Sequence, residues 1–244
     1  VKTLLLSLSL LFSSFRYFFH VFLVKRDRTR LFYYMRLMGV EALGLILVIG
    51  LFTGSIMAWQ AAYQMKDLMN FSQVGGQMAR IIVMEIGPVL TALILAGRVG
   101  ASLTAEIASM KITEQLDVLR VMNISIRRFL LIPRVVGLMI MVPTLTVFSN
   151  LTGILGSFLI LKTFLKVSLY TYFDSIRTYF VPVDLWLGLL KSFFFGVIIA
   201  TIGVHEGLNA QHGAAGVGKA TIRSFVHITF TLLTVDLLLW FIFF

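Results

Sequence analysis

The chain has 244 residues, 59% of them hydrophobic and only 13% charged, with a mean hydropathy of +0.95. Soluble domains carry roughly 45–50% apolar and about 25% charged residues, so this much apolar surface calls for lipid as its main solvent. A formal charge of +10 suits a membrane protein with basic cytoplasmic segments and leaves no soluble basic module for nucleic acid, while the absence of cysteine excludes disulfides, iron–sulfur clusters and thiolate zinc sites.

Residues 1–36 open with "TLLLSLSLLFSSFRYFFHVFLV", interrupted by Arg16 and His20 and followed by the basic run "KRDRTRLFYYMR". This pattern fits a helix lying in the inner interface, then a cytoplasmic segment; a further span is the alternative. No small-x-small cleavage site follows the apolar run, which disfavours a secretory signal.

Residues 37–244 read as one five-helix domain. The first span is expected over the uncharged residues 42–65. Within it Gly50, Gly54, Ala58 and Ala62 recur every fourth residue. Such a stripe lets two backbones approach closely, within one subunit or between two. Gln64 closes the span as a polar group at its outer end.

The second span, 80–105, contains Arg80, Glu85 and Arg98. A carboxylate at this depth is costly and should face a cavity or a partner, with Arg80 or Lys191 a candidate counter-ion for Glu85. Pro88 should kink the helix just beyond it. Arg98 and Glu106 are expected to anchor the loop that follows. There Ile112, Leu116, Leu119 and Met122 recur at helical spacing, predicting a short amphipathic helix over 111–123. Its other face carries Glu114, Gln115, Asp117 and Arg120, for solvent or for a docking partner.

Spans are next expected at 135–161, 185–205 and 224–244, the last two carrying Lys191 and Asp236 as their only charges. Lys191 has a stem long enough to snorkel, and Asp236 should pair within the bundle. Period-two alternation is absent, which disfavours a β-barrel. Basic residues cluster before span one, between spans two and three (Arg134 among them) and between spans four and five. The positive-inside rule then places the N-terminus in the cytoplasm.

Two motifs mimic enzymes. "HEGLN" starts like a zinc-protease helix, but Asn209 stands where the second histidine belongs. "HGAAGVGKATIR" has the glycine and lysine spacing of a phosphate-binding loop, but Ala220 replaces the magnesium-binding hydroxyl, and the stretch joins two membrane helices rather than a strand and a helix. Gly213, Gly216 and Gly218 are instead expected to form a tight cytoplasmic turn, with Lys219 and Arg223 facing lipid phosphates or a partner. No catalytic or metal-binding cluster is visible.

From Gly39 onward the chain resembles the MlaE/YrbE family of lipid-transport ABC permeases. The likeness rests on "EIGPVLTALILAGRVGASLTAEIASMKITEQLDVLRVM", on "PRVVGLMIMVPTLTV" and on "GAAGVGKATIRSFVH", in that order. Met84 departs from the arginine some relatives place before the glutamate, and Ile222 from a threonine. The first 35 residues match in character only.

The resemblance implies an all-α permease with five spans, an interfacial N-terminal helix and a short coupling helix. It implies a homodimer, which favours a dimer seam or cavity wall for the small-residue stripe. It further implies a separate ABC ATPase holding ATP and magnesium, an MCE-domain partner, a STAS-domain protein in some members, and membrane lipid as cargo. No cofactor is expected on this chain. A bacterial inner membrane is the expected location, a plastid envelope the alternative. An ATP-independent channel or secondary carrier is the rival function, although such carriers often show internal repeats and none is evident.

Overall fold

The computed structural model describes residues 25–64, 71–211 and 213–243. The interfacial helix expected over residues 3–24 and the Lys66–Asp67 loop lie outside them. The described residues are mostly helical, without a strand. Five segments among them are long and apolar enough to cross a membrane: Arg28–Gln64, Val74–Ile112, Phe129–Leu165, Pro182–Leu208 and Ala214–Phe243.

Helix α1, Lys25–Met38, passes through a short 3-10 turn at Val40–Ala42 into α2, Leu43–Gln64. The 22 residues of α2 rise about 33 Å, enough for a hydrocarbon core of about 30 Å. The next segment runs unbroken from 71 to 112 as three α-helices joined by two wide π-turns. These are α3 (Phe71–Ile81), the turn Ile82–Ile86, α4 (Gly87–Leu95), the turn Ala96–Gly100 and α5 (Ala101–Ile112).

The first wide turn replaces the simple kink expected at Pro88. Proline has no N–H to donate and crowds the carbonyl four residues back. The chain widens one turn earlier, so that the Gly87 N–H reaches Ile82 O, five residues away. In the second wide turn the Ala101 N–H reaches Ala96 O in the same way. Such bulges occur often at functional sites.

After α5, Glu114 adopts a left-handed conformation (φ 58°) and starts α6, Gln115–Val121. The amphipathic helix expected over 111–123 is thus a two-turn piece, because residues up to Ile112 continue the helix before it. Asn123 (φ 56°) then reverses the chain; asparagine tolerates this conformation better than most residues.

Helix α7, Ile132–Leu165, has 34 residues, about 51 Å long. It is followed by α8 (Leu169–Tyr179), α9 (Pro182–Leu208) and α10 (Ala214–Phe243). The Ser168 side chain caps α8 by accepting the Thr171 N–H at 3.1 Å. Pro182 suits the first turn of α9, where its missing N–H costs nothing.

The chain divides into two compact units, one formed by residues 1–42, 92–142 and 193–244 and the other by 43–91 and 143–192. In the first unit, α5 packs on α10 around Ala108, Ala210 and Ala220. In the second, Ala58, Ala61, Ala62, Val74, Met78, Leu161 and Tyr172 form the core.

The small-residue stripe of α2 is consumed within this second core. A Cβ on Gly54 would stand 1.9 Å from the Gly153 carbonyl oxygen, and one on Gly50 would stand 2.5 Å from the Thr152 hydroxyl. Ala58 and Ala62 are buried against the cluster around Tyr172. Within this chain the stripe brings α2 against α7 at Gly50 and Gly54. Small side chains let those two backbones touch.

Candidate functional site

In the second unit, the π-turn Ile82–Ile86 holds Glu85 towards α9. Lys191 Nζ lies 2.5 Å from Glu85 Oε2; the lysine side chain is 2% exposed and the glutamate 25%. Lys191 therefore does not snorkel, because its ammonium has a carboxylate within reach inside the bundle. Arg80, the other counter-ion considered, donates its Nε–H to Asp184 at 2.6 Å in the first turn of α9. That carboxylate is almost fully buried and sits where the positive end of the helix dipole favours it.

Close by, Asn150 Oδ1 is buried with no hydrogen-bond partner. It faces Gly87, where a Cβ would lie 1.7 Å from it. A narrow crevice lined by Gly50, Thr53, Ile86, Gly87 and Ser149 adjoins this point. The unit thus gathers an ion pair, an unsatisfied amide oxygen and a wide turn around one stretch of the second span. A buried polar group without a partner costs free energy.

Helix α8 is fastened to α3 nearby. Ser175 Oγ accepts the Gly76 N–H at 2.8 Å, and the buried Tyr172 hydroxyl donates to Ile154 O at 2.9 Å, with Ser157 Oγ 2.6 Å away. Burial raises the Tyr172 pKa above its ordinary value, and the Ser157 hydrogen bond offsets this only in part. The phenol stays a neutral donor at physiological pH.

The first unit contains a second charged centre. Arg134 is fully buried, contrary to its expected place in a basic loop, because α7 begins two residues before it. Its guanidinium donates to Leu130 O at 2.7 Å and to Glu106 Oε1 at 2.5 Å. The Tyr34 ring of α1 stacks 4.3 Å from it, and its Nε finds no partner. One side chain thus joins α1, α5 and α7. Arg98 donates to the Glu41 carbonyl and lines a cavity of about 140 Å³ with Leu37, Met38, Ser102 and Glu106.

The coupling candidates follow in sequence. Glu114, Gln115, Asp117 and Arg120 are all exposed, and Arg120 pairs with Asp117 at 2.7 Å. At the start of α10 only Gly213 (φ 86°) makes the expected turn. Gly216, Gly218 and Lys219 already lie in the helix, because the chain turns helical from Ala214. Arg223 Nε lies 3.4 Å from Glu206, which also accepts from His227 Nδ1 at 2.9 Å. Asn209 bonds back to His205 at 2.9 Å, so the zinc-like motif closes on itself.

Sequence reasoning missed Arg134 and Asp184. An arginine five residues into the apolar run that begins at Phe129 was the available signal for the first, and a carboxylate in the first turn of a span for the second.

Against proteins of known family, the model of permease MlaE matches residues 31–242. The chain belongs to the MlaE permease family. The permease is 32% identical over 209 residues to a probable ABC transporter permease protein of Synechocystis, covering 86% of this chain and 80% of the relative. It is 31% identical over 231 residues to another of Pyropia yezoensis, covering 93% and 88%. It is also 32% identical over 206 residues to the intermembrane phospholipid transport system permease protein MlaE of Haemophilus influenzae, covering 84% and 79%. It is a multi-pass membrane protein, and both charged centres fall inside the matched region.

Proposed function

We propose that this permease is the membrane subunit of an ABC transporter that moves phospholipid between a bacterial inner membrane and an MCE-domain partner. ATP and magnesium act on a separate ATPase subunit, and two copies of the permease form the working dimer. The observation that carries this reading is the 32% identity, over 84% of the chain, to a relative named for intermembrane phospholipid transport. The exposed polar residues of α6 supply a surface on which an ATPase could dock, and α6 lies in the chain between α5, which bears Glu106, and α7, which bears Arg134.

Glu85 and Lys191 are the lipid-path candidates, since an intramembrane ion pair is costly unless function uses it. Gln64 is exposed at the end of α2 and is kept as a weaker one.

The experiment is co-purification from native membrane, followed by reconstitution into donor vesicles with fluorescent phospholipid. An associated ATPase, and transfer that stops when ATP is depleted, are the expected results. Transfer that persists without ATP, or a permease that purifies with no ATPase, would replace the reading with a self-sufficient channel or carrier.

A further inference from the structure

In the unit formed by residues 43–91 and 143–192, exposed aromatic side chains gather where spanning helices end. Trp59 stands near the C-terminal end of α2, and Phe164, at that of α7, packs edge-on against it with ring centroids 4.7 Å apart. Trp186, in the second turn of α9, is 71% exposed. Aromatic side chains at the ends of spans mark the membrane–water boundary.

Helix α8 lies in the chain between α7 and α9, and its 11 residues sort into three faces at about 100° per residue. Tyr172, Ser175 and Ile176 point to the protein, where Tyr172 and Ser175 are buried against α3. Leu169, Tyr170 and Phe173 form a neighbouring face, 56%, 80% and 54% exposed, with the exposed Arg177 set between Phe173 and Tyr170. Asp174 and Thr178 form a third, exposed and polar. A helix on a water-facing surface needs only two faces. Three faces, one for protein, one apolar and one polar, suit a helix lying in the plane of a membrane interface.

Charge agrees with this. Lys162, Lys166 and Arg177 are exposed around α8 and only Asp174 opposes them, a balance of three cations to one carboxylate over residues 162–179. Cations beside an apolar face favour anionic lipid.

We propose that α8 is an interfacial lipid-binding helix. Leu169, Tyr170 and Phe173 sit at the boundary between headgroups and acyl chains, and Lys166 and Arg177 engage the phosphates of an anionic phospholipid surface. The apolar face continues the lipid-facing surface marked by Trp59 and Trp186. Because α8 is fastened to α3, and α3 runs directly into the turn bearing Glu85, lipid seating of α8 would set the depth of that carboxylate.

The chain has no cysteine, so nitroxides can be placed singly by Tyr170→Cys, Phe173→Cys, Asp174→Cys and Thr178→Cys in the full permease. In phosphatidylglycerol nanodiscs, power saturation should find labels at 170 and 173 relaxed mainly by oxygen, and those at 174 and 178 mainly by an aqueous nickel chelate. Nickel access at 170 and 173 equal to that at 174 would overturn the proposal by placing the helix in water. Shielding of 170 and 173 from both reagents would overturn it in favour of a protein partner or a second copy. In phosphatidylcholine the same labels should sit shallower, and Lys166→Gln with Arg177→Gln should abolish the difference between lipids. Equal depth in both lipids with the native cations present would overturn the phosphate contact.

Discussion

The two charged centres use the same elements to opposite ends. In each a cation is buried in a helix of an apolar span and its carboxylate remains partly open. Lys191 is 2% exposed beside a 25% exposed Glu85, and Arg134 is 0% exposed beside a 39% exposed Glu106. Arginine, however, presents a planar fork of five donors, whereas lysine is a compact point charge. Arg134 spends that fork on a carboxylate and a carbonyl while its face stacks on Tyr34, so it ties three helices together. Lys191 meets its carboxylate at 2.5 Å on the flank of a wide turn. The first arrangement suits a fixed joint, and the second a contact that a passing ligand could exchange.

Breaking the joint should have the largest effect. Arg134→Met would leave Glu106 without its partner and α1 without its stacking contact. Removing one member of a buried pair costs about 3–5 kcal/mol, so detergent-solubilised protein should melt well below the native permease or fail to accumulate. Arg134→Lys should recover only part of the loss, because lysine reproduces the charge but neither the fork nor the stack. If Arg134→Lys melted with the native protein, the joint would be no more than a charge.

Glu85→Gln should be milder, about 1–3 kcal/mol, because the glutamine amide oxygen can still accept from Lys191 and only the opposite charge is lost. Adding Lys191→Met should restore much of the melting temperature, because it removes the buried charge that the first substitution leaves uncompensated. Phospholipid transfer should stay low in the double variant. A double variant that melted and transferred like the native protein would reduce the pair to a structural contact and erase the contrast with Arg134.

Much of the architecture was legible, because an apolar run is a local signal: five apolar stretches corresponded to five long helices. Partner choice was not, since it depends on contacts between residues far apart in the chain. Glu85 and Lys191 lie 106 residues apart, and Arg80 and Asp184 lie 104 apart. No spacing rule assigns Arg80 to one acid and Lys191 to the other. The stripe Gly50, Gly54, Ala58, Ala62 announced close backbone contact but not whose backbone, and Gly153 of α7 supplied it. Arg134 misled because it ends a basic run and begins a helix at once. Only the fold decides that Glu106 and Tyr34 wait on its inner side. Gly216 and Gly218 misled differently, because glycine is common in turns yet can also sit in a helix, at a cost of roughly 1 kcal/mol relative to alanine.

The smallest change in stability should come from α6, and it tests coupling rather than folding. Asp117 and Arg120 form an exposed pair three residues apart, with side chains 61% and 69% accessible. Such pairs contribute about 0–1 kcal/mol, so Asp117→Asn with Arg120→Gln should melt within a degree or two of the native permease. If this face docks the ATPase, the same variant should weaken co-purification of that subunit and lower ATP-dependent transfer several-fold. Unchanged melting, co-purification and transfer together would make α6 a solvated surface helix and move the search for the coupling contact elsewhere. The result also bears on the fixed joint. α6 lies in the chain between α5, which bears Glu106, and α7, which bears Arg134. A variant that loses coupling with its melting temperature intact would show that force enters at the exposed helix and needs the buried pair only as a rigid support.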